Sequence, residues 1–147
     1  MQGPPDWDPS NHPAYLVGRA ARLFTRHVDD DLRALGFTAA HVPVLRSLSD
    51  GAARSQTELA QIARIEQPTM AQMLARMERD GLVRRAPNPA DGRSSLFSLM
   101  PAALAKTKQA RAVLVKTAVA MFDGLSPKEL AQLQALMARV VENLEGG

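Results

Sequence analysis

The sequence predicts a mainly α-helical fold with one small β-hairpin. Three observations point there. Apolar residues recur at three- and four-residue steps over long stretches. Two Ser-x-x-Glu boxes, at Ser55–Glu58 and Ser126–Glu129, stand at the head of such stretches. Residues 82–99 break the pattern with two short apolar runs around a loop rich in Pro, Gly and Asp. Bulk composition agrees. The 147 residues suffice for one ordinary domain with a real core. With 46% hydrophobic and 22% charged residues the chain is globular. Aromatics are only 4%, so the core must be built from Leu, Val, Ala and Met, a helix-favouring set.

Residues 1–11 read as a loose, Pro-rich arm. A first helix follows Pro13 and runs to about residue 34, with Leu16, Ala20, Leu23, Phe24, Val28, Leu32 and Leu35 on one face. Gly36 stops it. A second helix over about 39–49, capped by Thr38, turns Val42, Leu45 and Leu48 inward, and Pro43 falls early enough to cost one hydrogen bond at most. Asp50-Gly51 is a turn. Ser55 then caps a short helix with Leu59, Ile62 and Ala63 inward. Residues 64–67 form a turn, Pro68 opens the next helix to about residue 80, and Gly81 closes it. After the hairpin, Pro101 opens one long helix carrying Leu104, Leu114, Val115, Ala118, Val119 and Phe122. The Ser126 box opens the last, with Leu130, Leu133, Leu136, Met137, Val140 and Leu144.

Two helices joined by a short turn and followed by a hairpin make a winged helix-turn-helix, a plan for binding double-stranded DNA. The second helix has two faces. Met70, Met73, Leu74 and Met77 form an apolar stripe; Thr69, Gln72, Arg76 and Arg79 lie opposite and offer a hydroxyl, an amide and two guanidiniums to phosphates or base edges. Taken alone, such a face is more often that of a solvated amphipathic helix; the hairpin behind it reverses that preference. At the hairpin tip Arg93 has nothing apolar to cover and can neutralise phosphate or enter a minor groove. The alternative is that Asp91 and Arg93 only close the turn by pairing. Asp91 is expected to orient the loop rather than touch DNA, and Arg84 and Arg85 flank the hairpin base.

Charge contributes little. The net charge is +3, and residues 38–100 hold 8 basic against 6 acidic residues. That balance leaves open a second reading, a winged-helix protein-interaction module without DNA binding. Other classes fare worse. Without cysteine there are no disulfides or thiolate metal sites, and three widely spaced histidines make no zinc set. There is no nucleophile–base pair and no phosphate loop, so neither an enzyme nor a cofactor is expected. No apolar run is long enough for a membrane span, and the N-terminus has no basic, apolar signal pattern, so a cytoplasmic location is expected.

Several stretches resemble the MarR family of bacterial transcriptional regulators (multiple antibiotic resistance regulators). They are Gln56-Thr57-Glu58-Leu59-Ala60, Gln67-Pro68-Thr69-Met70, the run from Arg76 through Asp80-Gly81-Leu82-Val83 to Arg85, and Asp91-Gly92-Arg93 with Leu96 and Leu99. Leu99-Met100-Pro101 departs from the usual end of the wing. The resemblance implies a homodimer on a pseudo-palindromic operator. Helices within 12–37 and 102–145 would form the dimer, and 38–100 the DNA-binding lobe. Apolar positions on the last two helices, in excess of a monomer's need, are consistent with that. The expected DNA contacts are Ser55, Gln56, Gln67, Pro68, Thr69, Gln72, Met73, Arg76, Arg84 and Arg93, with Asp91 and Gly92 shaping the wing turn. The resemblance further implies a repressor released by a small aromatic or phenolic effector. His12, Tyr15 and Arg19, spaced to share one helix face, and His41 and Arg46 are the candidate contacts. The alternative for these five is surface polarity and a packed tyrosine. Trp7 is expected to pack the arm on the dimer.

Overall fold

The computed structural model describes residues 8–146, so Trp7 and most of the arm lie outside the described residues. Asp8 already carries order: its carboxylate accepts from the Ser10 N–H at 2.9 Å and heads a 3-10 turn over Pro9–Asn11. Helix α1 spans Pro13–Leu32, and His12 caps it, with Nδ1 accepting from the Ala14 N–H at 3.1 Å. A 3-10 turn and Gly36, at φ 80°, end it.

The expected helix over 39–49 divides. Ala39–His41 is a 3-10 turn and α2 covers Val42–Leu48. Restarting at Val42 puts Pro43 in the first turn, where its missing N–H costs nothing. Strand β1 (Arg54–Ser55) leads directly into α3 (Gln56–Ala63), and α4 spans Gln67–Arg79. The hairpin is β2 (Val83–Pro87) with β3 (Ser95–Leu99), paired from Val83–Leu99 to Pro87–Ser95. Strand β1, which periodicity over two residues could not reveal, adds to the other edge of β3 to give the order β1-β3-β2.

The single long helix expected after Pro101 is instead two: α5 (Pro101–Leu104) and α6 (Thr107–Met121). The Thr107 hydroxyl donates to the Leu104 carbonyl at 2.8 Å, taking the place of the next helical bond. The break lets Leu104 lie against Gly51 while α6 packs along α1, where the Thr117 hydroxyl donates to Asp31 at 2.6 Å. Helix α7 spans Pro127–Glu145 behind the Ser126–Glu129 capping box.

The core gathers Val28 and Leu32 of α1, Phe37, Val44 and Leu48, Leu59 of α3, Met70, Leu74 and Met77 of α4, and Val83, Phe97 and Leu99 of the sheet. Each such side chain contributes about 1.5–3 kcal/mol relative to exposure. Ile62, expected inward, is 55% exposed; Leu59 and Ala60 fill that side of α3 instead. Helix α7 has no fully buried side chain, and Leu136, Val140 and Leu144 stand open to solvent. Among the described residues no helix is long and apolar enough to cross a membrane, and no group of three or more His, Asp or Glu is placed to hold a metal ion.

Candidate nucleic-acid interface

The surface of interest begins where α3 does. Ser55 Oγ accepts from the Glu58 N–H, and the Glu58 carboxylate accepts from the Ser55 N–H, both at 3.2 Å. This reciprocal cap fixes the start of α3. From its first turn, Gln56 Nε2 donates to Gln67 Oε1 at 3.0 Å and lies 3.4 Å from the Gln67 carbonyl. The two glutamines thus tie the N-terminal ends of α3 and α4 together at one exposed surface. Pro68 sits in the first turn of α4.

Helix α4 divides as its sequence implies. Met70, Leu74 and Met77 are buried, while Thr69, Gln72, Arg76 and Arg79 are exposed. Met73 lies between the two, half-buried and packed against the core. Arg79 has Asp80 at 3.8 Å. The Arg76 guanidinium has no carboxylate within 4 Å among the described residues.

The wing is built from its own polar groups. Asn88 Nδ2 donates to Ser94 Oγ at 2.9 Å, the Ala90 N–H donates to Asn88 Oδ1 at 3.0 Å, and the Arg93 N–H donates to Asp91 Oδ1 at 3.0 Å. Asp91 therefore engages the backbone of Arg93 and leaves its guanidinium exposed and without an ion pair among the described residues. Gly92 is exposed, and a Cβ there would meet open space. Arg84 is exposed on β2, with Nε 3.4 Å from Ser98 Oγ. Arg85 has a different part, which its sequence neighbourhood did not reveal. It holds both oxygens of Glu78 on α4, at 3.0 and 3.1 Å, and lies 5.2 Å from the centre of the Phe97 ring. This clamp sets the wing against α4. Between wing and helix lies a hollow of about 360 Å³ lined by Ser55, Gln56, Thr57, Ala71, Arg85 and Arg93 among others.

Of the five candidate effector residues, Arg46 alone lines either of the two hollows described. Tyr15 and Arg19 are exposed on α1, and the His12 ring caps that helix. His41 is buried; its Nδ1 accepts from the Thr38 N–H at 3.0 Å and its ring stands edge-on to Phe37. Burial holds its pKa below the ordinary histidine value; Arg76 adds to that shift, and Asp80 and Asp29 oppose it. Arg46 alone lines a second hollow, of about 330 Å³, with Pro43, Ser47, Ile62, Ala63 and Arg64.

The model of the MarR family matches residues 35–94, from the turn that follows α1 to the wing loop just before β3. Among solved structures, a mutant MarR from E. coli in complex with operator DNA is 27% identical, covering 91% of this chain and 99% of that one at a TM-score of 0.78. BpsR of Bordetella bronchiseptica, whose DNA binding is regulated by 6-hydroxynicotinic acid, is 24% identical, covering 95% and 98% at a TM-score of 0.80. AbsC, a MarR family transcriptional regulator from Streptomyces coelicolor, is 24% identical, covering 96% and 98% at a TM-score of 0.78.

Proposed function

We propose that this chain, whose residues 35–94 match the MarR family model, is a transcriptional regulator of that kind: that it acts in the cytoplasm as a homodimer, binds a pseudo-palindromic operator and represses transcription until a small aromatic or phenolic ligand releases it. One observation carries the DNA-binding part. The exposed face of α4 presents Thr69, Gln72 and Arg76, and its opposite face is locked into the core through Met70, Leu74 and Met77. A helix anchored on one side with donors on the other is a reading head for the major groove. Ser55, Gln56, Gln67 and Pro68 bring the helix starts to the backbone, Met73 supports the head from the edge of the core, and Arg84 and Arg93 neutralise phosphate from the wing.

Residues 38–100 form the DNA-binding lobe in this reading, and helices within 12–37 and 102–145 form the dimer. The exposed apolar side chains of α7 support the second assignment. Two lobes related by a two-fold would meet half-sites about one helical turn, ~34–36 Å, apart. The ligand part draws on BpsR, whose DNA binding responds to 6-hydroxynicotinic acid. Tyr15 and Arg19 keep their polar ends available for such a molecule, whereas His12 and His41 use Nδ1 in backbone caps.

Gel retardation on DNA from upstream of the protein's own gene tests the reading. Retardation that survives excess random duplex and yields to an aromatic acid supports it. Absence of any retardation at low salt favours the protein-interaction module instead.

A further inference from the structure

Three helix ends in this chain close with the same turn. The residue beyond the turn donates back into the last helical turn: Phe37 to the Leu32 carbonyl at 3.3 Å, Leu82 to Met77 at 2.9 Å, and Ile65 to Ala60 at 3.0 Å. This turn needs a left-handed residue at its corner. The corner is Gly36 (φ 80°) in the first and Gly81 (φ 76°) in the second, but Arg64 (φ 54°) in the third. Arg64 is the one non-glycine residue with positive φ among the described residues. Its Cβ makes the left-handed conformation unfavourable, and the turn itself gains nothing from a side chain. Local strain under an exposed polar group is a signature of use.

The surroundings say what use. Arg64 and Arg46 are both exposed and line one hollow of about 330 Å³, beside Pro43 and Ile62. Neither guanidinium lies within 4 Å of a carboxylate among the described residues. Two unpaired guanidiniums at one hollow call for an oxyanion. Along the chain Arg64 stands close to the proposed DNA-binding surface: it precedes Gln67, the first residue of α4, by three positions, and Gln67 is the residue that Gln56 ties to the start of α3. The hollow at the wing, lined by Arg93 and by Ala71 of α4, shares no residue with this one.

We propose that Arg64, with Arg46 beside it, is a second phosphate clamp that carries the DNA footprint beyond α4 and the wing onto the α2–α3 face. The proposal rests on the DNA-binding reading above. It predicts that stability and affinity move in opposite directions. Arg64→Gly relieves the turn and raises Tm by roughly 2–4 °C. The same change weakens binding to the upstream duplex, and to random duplex, by roughly fivefold per chain at 0.15 M salt, and lowers the slope of log K against log salt by about 0.9 per chain. Arg64→Asn, which tolerates the turn and carries no charge, loses the same affinity and slope; Arg64→Asn that binds as the wild type does would trace the glycine effect to a loosened loop and overturn the clamp. Arg46→Ala loses affinity and slope with Tm unchanged. Wild-type protein that binds DNA while Arg64→Gly matches it in affinity and slope overturns the clamp alone, as does lost affinity with an unaltered slope. Wild-type protein that binds no DNA overturns the clamp together with the reading on which it rests.

Discussion

His41 shows how much one buried residue holds together. It stands between α1 and α4: its ring accepts the Thr38 N–H, Asp29 of α1 takes the neighbouring Ala39 N–H at 2.6 Å, and Asp80, which caps α4, and Arg76 within it act on the ring through space. The accepting Nδ1 must be unprotonated, and desolvation keeps the folded-state pKa below the ordinary value. The unfolded chain therefore binds the extra proton first as pH falls. Stability is intact above the ordinary histidine pKa of about 6.5 and declines below it. We expect Tm to fall on acidification from pH 7.5 to 5.5. His41→Asn, whose amide oxygen can accept the same N–H, should flatten that dependence; equal slopes in thermal melts of the two proteins would contradict this. Asp50 acts in the same direction but at lower pH. Arg54 grips both its oxygens, at 2.9 and 2.7 Å, and holds its carboxyl well below the usual carboxylate range. That contribution is present at neutral pH and lost in strong acid. Neither role was visible in the sequence, where His41 suggested an effector contact and Asp50 a turn, because both depend on neighbours brought together by folding.

At the scale of elements, local chemistry was legible and tertiary choice was not. Both capping boxes, Gly36 and Gly81 as helix stops, and the hairpin are found where spacing placed them. The break between α5 and α6 and the pairing of β1 were missed, since each is decided by what the segment packs against. Ile62 was misjudged for the same reason: an eight-residue helix has room for one buried stripe, and Leu59 with Ala60 occupies it. The Ser55 cap gives a direct measure of the local term. Ser55→Ala should lower stability by about 1 kcal/mol in denaturant melts; no measurable loss would show that tertiary contacts alone hold α3. On α4, Gln72→Ala should relax sequence preference and spare affinity for random DNA, whereas Arg93→Ala should weaken both alike. Competition binding with specific and random duplexes separates them, and equal losses for the two variants would refute the division of labour between helix and wing.

At the scale of the whole molecule, much apolar surface is left uncovered. Helix α7 has no fully buried side chain, and apolar side chains of α1 and α6, among them Leu16, Leu23, Val115 and Val119, are also exposed. So much apolar surface in a well-packed chain marks an interface, and the proposed dimer is what covers it. Leu136→Glu should give a folded monomer in sedimentation, with helicity retained and operator binding lost; a dimer that persists would place the interface elsewhere. The excess of apolar positions on these helices was readable in the sequence, but which of them stay exposed was not. Double-stranded DNA gripped by the α4 face and the wing must release counterions, and a titration of the upstream duplex from about 50 to 200 mM salt reads that release directly. Affinity should fall on the order of 10³-fold across that range; an affinity indifferent to salt, or no binding at all, would show that these elements do not hold DNA.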